Sequence, residues 1–434
     1  HARLTFRDNT SEHYSREYEI ITESALDLES APDGGGNFLL RLDVNKAEDY
    51  GAYNLALILM DAQSGRVVGS VTLPRQQEEK ILGSFALAYS PVENTGTPLI
   101  GFRQFRCGGD GIASRPERAF GPIVGTLFSV AGSTLKLTAQ FVPLSYQGEL
   151  GVRTPEPLKA YLQTDHSGQW ETADSARITT PDNTAVFRVG NWDSSLSTGY
   201  RVAFTSHDGK TDYYTGTVPI EPELGGTLSV AAFTGMGAMG RTADAGSAPA
   251  DKGPVVGRWT PANIWFPFEP TVSNLLGAKI DLLSFNGDQV YEGKPTNPER
   301  SDRFPVLDYL YKWYLWHWAF GDLTRNIPAL LQVDDHDVYQ GNVWGWGGRI
   351  NMSGVNGDGG YLCDPQFVRM VEHTQCSHNP DPPDQSPVLN DIDVYFTTFE
   401  YGGVSFALLE DRKFKTPRQV PVESAILLGN RQLA

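Results

Sequence analysis

Residues 280–292 read IDLLSFNGDQVYE, an apolar strand that runs directly into a Gly-Asp pair. In an open α/β sheet, sites form where the strands reach their carboxyl ends. Gly287 lets the chain turn there and leaves the carboxylate of Asp288 free, and a carboxylate so placed can bridge two metal ions. Tyr291, three residues further on, returns to the same side as a possible phenolate ligand. The alternative interpretation is an aspartate that caps a turn or a helix.

A second strand end of the same kind lies in residues 329–342, which read ALLQVDDHDVYQGN. The strand is followed by Asp334, Asp335, His336 and Asp337. Three carboxylates around one histidine repel each other unless a cation lies among them. His336 is a candidate to protonate a leaving-group oxygen or to bind a phosphoryl oxygen. A solvated acidic turn is the alternative, but two acidic strand ends in one region predict a shared metal site.

The sequence around these two stretches has the pattern of an α/β domain. Predicted strands and helices alternate there, which indicates a mostly parallel sheet. The predicted strands are Leu228–Thr234, Ile280–Phe285, Leu330–Val333 and Val404–Leu409, and the predicted helices are Pro270–Ala278, Phe304–Asn326 and Pro365–Gln375. In the long helix, Val306, Tyr309, Leu310, Trp313, Trp316 and Phe320 recur at helical spacing and are predicted to be core. We place this domain at 227–434.

The chain upstream of this domain reads as β-structure. Short apolar or alternating runs are separated by Gly, Pro, Asn and Asp, the pattern of β-sandwiches or barrels. The runs are Leu39–Val44, Leu55–Met60, Val67–Leu73, Leu82–Ala88, Ile123–Val130, Leu135–Val142, Leu158–Thr164, Thr184–Trp192, Tyr200–Ser206 and Tyr213–Ile220. We assign 1–147 to a β-rich domain and 148–226 to an immunoglobulin-like or fibronectin-like sandwich. The predicted fold class is therefore multidomain, with β domains followed by an α/β domain.

Composition excludes several classes of protein. The 434 residues include 35 basic and 52 acidic side chains, a formal net charge of −17, so a nucleic-acid partner is not expected. The longest apolar runs, such as Leu55–Met60, are far shorter than the ~20 residues of a membrane span. The sequence starts with His1 and not with Met, which suggests an exported protein that has lost its signal peptide; a trimmed chain would look the same. We expect a secreted, periplasmic or cell-surface location.

Several weaker motifs have more ordinary interpretations. Three cysteines are too few for a disulfide scaffold, although Cys363 and Cys376 could pair. Cys376 and His378 fit no standard zinc spacing. Residues 235–240 form a G-x-G-x-x-G after a strand, but no helix pattern follows, so a dinucleotide site is not favoured. The segment His378–Pro383 looks more like a lid loop over the site.

Arg412 and two tryptophans are candidates for contact with a substrate. A guanidinium at a strand end can hold a phosphate oxygen in a fork, and a structural ion pair is the equal alternative for Arg412. Trp344 and Trp346 lie in a glycine-rich loop, where they could stack on a sugar or base or simply pack.

Four segments together carry a family resemblance: Gly287–Glu292, Asp334–Asp337, Gly403–Phe406 and Glu410–Lys415. They resemble the motifs of the alkaline phosphatase D (PhoD-like) metallophosphatases. In that family an immunoglobulin-like domain precedes a calcineurin-like metallophosphoesterase domain, and residues 155–230 and 230–434 resemble these two. Residues 1–147 lie outside the resemblance. It implies hydrolysis of phosphomonoesters or phosphodiesters with iron and calcium as cofactors.

The resemblance also implies roles for single residues. Asp288 matches the bridging metal ligand and Tyr291 the tyrosine that ligates iron. Asn342 matches a metal-binding asparagine, with Asp335 as a rival for that place because the spacing from His336 is slightly long. His336 matches the histidine near the reacting phosphate.

Two departures from the family pattern leave a second function open. Gly235 stands where family members carry a cysteine iron ligand, so the metal could change to calcium, magnesium or manganese, or be lost. The later Asp-x-His metal motif of the family lies beyond residue 434, which suggests a domain truncated at its C-terminal side. Self-association or a C-terminal partner could then complete the domain. The alternative function is a non-catalytic extracellular structural or filament subunit that reuses the fold.

Overall fold

The computed structural model describes residues 3–8, 19–25, 37–48, 51–77, 106–112, 120–144, 158–206, 209–237, 268–294 and 302–433. The chain divides into two compact units, one made of residues 1–88 and 239–265 and the other of residues 89–238 and 266–434. The candidate site residues all belong to the second unit. Among the described residues, no helix has the length and apolar character needed to cross a membrane.

The first unit is built from antiparallel strands. β1 (Arg3–Asp8) pairs with β2 (Glu19–Ala25), and β3 (Phe38–Lys46), β4 (Ala52–Asp61) and β5 (Val67–Gln77) form a three-stranded sheet with β4 in the middle. Asp61 ends β4 and accepts hydrogen bonds from the N–H groups of Gln63 and Ser64, which closes the turn into β5. The three runs predicted in this region are thus strands, and the predicted strand Leu82–Ala88 lies outside the described residues.

Two antiparallel sheets enclose one apolar core in the second unit. β6 (Ile123–Ala131), β7 (Thr134–Phe141) and β10 (Thr184–Gly190) form one sheet, and β9 (Gln169–Arg177), β8 (Lys159–His166), β11 (Thr198–Thr205) and β12 (Thr211–Val218) form the other. Side chains of both sheets share this core. The boundary that we predicted near residue 147 does not coincide with a break, because β7 pairs with β10 along its whole length. The division into three domains stays a prediction.

A parallel sheet follows the sandwich, as the alternating pattern predicted. β13 (Val230–Phe233), β14 (Leu282–Asn286) and β15 (Ala329–Gln332) lie side by side in this order. α1 (Glu269–Leu276) connects β13 to β14, and α2 (Val306–Thr324) connects β14 to β15. The remaining elements are α3 (Pro365–Cys376), β16 (Thr397–Tyr401) paired with β17 (Val404–Leu408), α4 (Asp411–Phe414), and the short 3-10 turns His336–Val338, Asn356–Asp358, Leu389–Asp391, Val422–Ser424 and Asn430–Gln432.

Helix α2 is buried on most sides because it lies between the parallel sheet and the sandwich. Trp313 donates through Nε1 to Oε1 of Gln140, and Tyr314 donates to the carbonyl of Phe141. Against β6 the approach is so close that a Cβ at Gly125 would lie 2.5 Å from Nδ1 of His317. The core positions that helical spacing predicted are confirmed, since five of the six have at most 2% of their surface exposed and Val306 packs against them: Tyr309, Leu310, Trp313, Trp316 and Phe320.

Candidate metal centre

Two adjacent parallel strands carry the acidic residues to one edge of the sheet. Asn286 at the end of β14 lies beside Gln332 at the end of β15, so the loops that follow these residues meet. Carboxylate oxygens of Asp288, Asp334 and Asp335 all lie within 4.8 Å of one another, and no other group of this kind occurs among the described residues. The two acidic strand ends that were predicted to share a site therefore meet, and the group that they form could hold a metal ion. Asp334 belongs to it, although the sequence analysis did not assign it as a ligand.

The contact between the two loops depends on Gly287. Its φ of 90° is in the left-handed region, and an added Cβ would lie 2.4 Å from Cβ of Asp334. Asp288 follows with a φ of 58°, a conformation that aspartate tolerates better than most residues. The turn thus directs the Asp288 carboxylate toward the second loop.

A fully buried carboxylate, Asp337, connects the two loops from the side that faces the core. Its Oδ2 accepts hydrogen bonds from the N–H groups of Asp288 (2.8 Å) and Asp334 (3.0 Å). Its Oδ1 accepts from the N–H of Val290 (2.9 Å) and from Nε2 of Gln375 in α3 (3.1 Å). Burial raises the pKa of Asp337 to about 7, and the donors offset part of this effect. Sequence reasoning missed this role because spacing alone does not show which acidic residue of 334–337 points inward.

One side of the site is formed by Tyr291 and Glu292 of the loop after β14 and by His336 of the loop after β15. Tyr291 donates its hydroxyl hydrogen to Oδ2 of Asp288 over 2.8 Å, and its ring stacks on that of His336 with 4.4 Å between centroids. Nδ1 of His336 lies 2.7 Å from Oε2 of Glu292. Burial lowers the pKa of His336, but the Glu292 carboxylate outweighs it, so this pKa lies above its ordinary value. Sequence reasoning gave Glu292 no role.

Arg412 supplies the positive charge of the cluster. It lies in the first turn of α4, not at the end of a strand, and donates through Nε to Oδ1 and through Nη2 to Oδ2 of Asp334. Nη2 is also 3.5 Å from Oδ1 of Asp335. Burial raises the pKa of Asp334 to about 6 against the effect of Arg412. Burial also opposes ionisation of Asp335, but the Asn342 N–H and Arg412 hold its pKa below the usual value.

Two further positions named from the family resemblance lie near the carboxylates. Asn342 has an exposed side chain, and its backbone N–H is the group that donates to Oδ2 of Asp335. A metal-binding role for the Asn342 side chain stays a prediction. Gly235 has a φ of 67°, and a Cβ added there would lie 3.6 Å from the hydroxyl of Tyr291, so position 235 borders the site.

The weaker motifs lie elsewhere. Cys363 and Cys376 are both free and buried, so the disulfide considered between them is absent. His378 is buried beneath β15 with its Nε2 3.1 Å from the carbonyl of Ala329, and the next residue, Asn379, bonds to Leu331. Residues 378–380 therefore pack under the sheet, which contradicts the lid interpretation for that part of the loop. Zinc ligation is not supported either, because these residues form no metal-binding group in the described part of the chain.

The donor set of the cluster fits a hard cation. Three carboxylates offer oxygen ligands, and the Tyr291 oxygen lies against one of them. Calcium, magnesium and manganese prefer such ligands, and iron accepts them. Burial, and then the neighbouring Asp288, raises the pKa of Tyr291, so the phenol keeps its proton unless a cation displaces it. Asp288, Asp334, Asp335 and Tyr291 are thus the residues that would hold a metal.

Comparisons with known proteins found similarity at the level of solved structures only. No protein-family model and no curated protein sequence matches the chain. The structure is similar to that of PhoD, with a TM-score of 0.47, 14% identity, 71% of this chain covered and 57% of that one. It is also similar to the purple acid phosphatase PPD1 from yellow lupin (Lupinus luteus), with a TM-score of 0.38, 11% identity, 82% of this chain covered and 50% of that one. The chain thus spans about half of the length of each of these two structures.

Proposed function

We propose that this protein is a metal-dependent hydrolase of phosphate esters, of the PhoD-like kind that the sequence motifs resemble. The observation that carries the proposal is the convergence of Asp288, Asp334 and Asp335 from two neighbouring strand ends onto one point. A tyrosine and a histidine lie against that point. Strand-end carboxylates that share a cation are suited to hydrolysis of a phosphate ester, because a bound metal ion polarises a phosphoryl oxygen and lowers the pKa of water.

His336 has the contacts of a proton donor in this proposal. Glu292 holds its Nδ1, which leaves Nε2 for the substrate, and the raised pKa of His336 keeps the ring protonated to a higher pH than usual. A protonated imidazole can give its proton to the leaving-group oxygen. Glu292 orients the ring, as a carboxylate does for a catalytic histidine.

Arg412 has two possible partners in the site. The guanidinium now neutralises Asp334 and Asp335, and its planar fork is equally suited to two oxygens of a phosphate. We propose that a cation among the carboxylates would free Arg412 to bind the substrate phosphate. The use of calcium or iron is part of the same proposal and is supported by the resemblance alone, and export of the protein stays a prediction.

A non-catalytic structural subunit is the second candidate, and Arg412 is also the observation that favours it. An arginine that neutralises two of three carboxylates permanently would make a metal unnecessary. Gly235 adds no ligand of its own. In this alternative the cluster is an internal ion pair that stabilises the loops.

A hydrolysis assay with matched variants separates the two candidates. p-Nitrophenyl phosphate and bis-p-nitrophenyl phosphate are offered with calcium, magnesium, manganese or iron, alone and in pairs with calcium. Asp288→Ala is expected to lower metal-dependent hydrolysis by about 1,000-fold, because a metal contributes several kcal/mol to the transition state. Asp322→Ala, at an exposed position on α2, is the control and should keep the wild-type rate. A wild-type protein that neither binds these ions by calorimetry nor hydrolyses either ester would contradict the proposal.

A further inference from the structure

A second charged cluster lies directly beneath the candidate metal centre, and it is almost completely buried. Nζ of Lys413 lies 3.0 Å from Oε1 of Glu372 and also contacts Oε2 of Glu410. The side chain of Lys413 is 2% exposed, that of Glu372 6% and that of Glu410 1%. Burial raises the pKa of Glu372 to about 8, so a proton on this group offsets the surplus negative charge at neutral pH.

This cluster ties α4 to two other parts of the unit, α3 and the segment 393–396. Glu410 immediately precedes α4, and its Oε1 accepts the N–H groups of Tyr395 and Phe396. Glu372 belongs to α3, and Lys413 also donates to the carbonyl of Asp393. The four-residue helix is too short to fix its own orientation. Its direction is therefore set by these contacts.

The backbone on the other side of α4 is held as closely. The N–H of Gly345 donates to the carbonyl of Arg412, and the N–H of Gly347 donates to the carbonyl of Lys413, each over 2.9 Å. A Cβ at Gly345 would lie 2.7 Å from the carbonyl oxygen of Lys413, so the loop has no freedom to retreat. Arg412 thus lies on a backbone segment that is held by contacts on both sides.

A small cavity separates the buried cluster from the metal centre. Asp334 and Arg412 line it together with Glu372, Glu410 and Lys413. Oε2 of Glu372, which is buried, has no hydrogen-bond partner. Both clusters border this cavity, and Arg412 and Lys413 are adjacent in the single turn of α4, so a displacement of Lys413 is transmitted to Arg412 through the backbone that they share.

We propose that Lys413, held by Glu372 and Glu410, is a positioning residue that fixes the direction in which Arg412 presents its guanidinium to Asp334 and to a substrate phosphate. Replacement of a buried ion cluster by apolar groups is often neutral or stabilising, so three buried ionisable groups under a site are better explained by geometry than by stability. The role toward Asp334 is independent of the proposed function; the role toward phosphate rests on it.

The first experiment observes Arg412 directly by NMR. The Nε–H of Arg412, assigned through its loss in Arg412→Lys, should give a protected signal in the full-length wild-type protein because it donates to Asp334. In Lys413→Met this signal should move to the position of a solvated arginine. Glu410→Gln keeps an acceptor for Tyr395 and Phe396 but weakens the hold on Lys413, so it gives the same test if Lys413→Met does not fold. An unchanged signal in a folded variant would overturn the proposal.

The second experiment connects the positioning to phosphate. The inhibition constant of inorganic phosphate and the KM for the ester are measured for Lys413→Met, Arg412→Ala and the double variant. Lys413→Met should raise both constants by about tenfold in the wild-type background and by less than twofold in the Arg412→Ala background, since coupled residues are not additive. Val368→Ala, at a buried position on α3, controls for simple destabilisation. Equal effects in both backgrounds would reduce Lys413 to a structural role. If the wild-type protein hydrolyses no ester, the proposed function is wrong. The NMR experiment still tests the role of Lys413 toward Asp334.

Discussion

Arg412 and Lys413 are neighbours in the sequence, and each faces two carboxylates, but the two ion clusters differ in their contact with water. The side chain of Arg412 is 24% exposed and its partners Asp334 and Asp335 are 23% and 9% exposed. Lys413 and its partners are nearly inaccessible. The same chemistry therefore gives one cluster that can exchange partners and one that cannot.

Desolvation explains the difference. Breaking a buried pair leaves an uncompensated charge in a low-dielectric interior, whereas charges near water are solvated when they separate. Arg412 can thus leave its carboxylates for a phosphate at moderate cost, and Lys413 stays in place. The Lys413 cluster is rigid, and the Arg412 ion pairs next to it can exchange partners. This arrangement is expected of a site whose residues must be held accurately and must still bind a ligand.

The largest expected effect tests this contrast in stability. Lys413→Met leaves Glu372 and Glu410 without their cation, and we expect the free energy of unfolding to fall by about 3–5 kcal/mol. Arg412→Met removes a partly exposed cation and should cost at most about 1 kcal/mol. Urea unfolding followed by tryptophan fluorescence measures both. Equal losses in the two variants would show that exposure does not distinguish the clusters.

The second prediction concerns Asp337, which links the two loops of the metal centre. Asp337→Asn keeps the size of the side chain but turns one of its two acceptor oxygens into a donor that faces backbone N–H groups. An unsatisfied buried group costs about 1–3 kcal/mol. Loss of the support behind Asp288 and Asp334 should also weaken divalent metal binding by about 10–100-fold, as for other outer contacts of metal sites.

Calorimetric titration with manganese and calcium measures that loss of affinity. Asp322→Asn, on the exposed face of α2, is the matched control and should leave both affinity and stability unchanged. A stable Asp337→Asn protein with wild-type metal affinity would mean that the loops hold their carboxylates without this link.

Much of the fold follows from periodicity, and the exceptions have physical causes. The long amphipathic helix and the three parallel strands were predicted because their apolar runs are buried. β9 was missed because it reads QWETADSAR, an edge strand with few apolar side chains. β16 (TTFEY) was missed for a similar reason, since Thr and Glu interrupt its short run. The pairing of β7 with β10, across the boundary predicted near residue 147, is a long-range contact that no local pattern reveals.

The sequence could predict those site residues whose position is decided by the direction of the parallel strands alone. Asp288 and Asp335 follow strands, and the carboxyl ends of parallel strands meet at one edge. The sequence could not separate Asp334, which faces the cluster, from Asp337, which points into the core. The sequence also does not show that the backbone N–H of Asn342 contacts Asp335, and a metal-binding role for the Asn342 side chain stays a prediction. The Lys413 cluster was missed because its members come from separate elements.

The last prediction concerns the proton on Glu372, and its readout is a slope with pH. Its pKa in the folded protein, about 8, lies above the usual 4.5, so the folded state binds more protons than the unfolded state between these two values. This contribution to stability is complete at low pH and is lost as the pH rises toward 8. Glu372→Gln imitates the protonated form at every pH, so its stability relative to the wild type should increase steadily from pH 5 to pH 8.

Urea unfolding of both proteins at intervals across that range measures the difference, in which the titration of groups that do not interact with Glu372 cancels. The groups that face Glu372 are Lys413, Glu410, Asp393, Tyr361, Tyr395 and Cys376. Because none of them is changed, the slope of the difference reports the proton on Glu372. Glu423→Gln, at an exposed position, should show no slope. If the difference between Glu372→Gln and the wild type is flat with pH, Glu372 is ionised throughout and the buried cluster keeps its full negative charge.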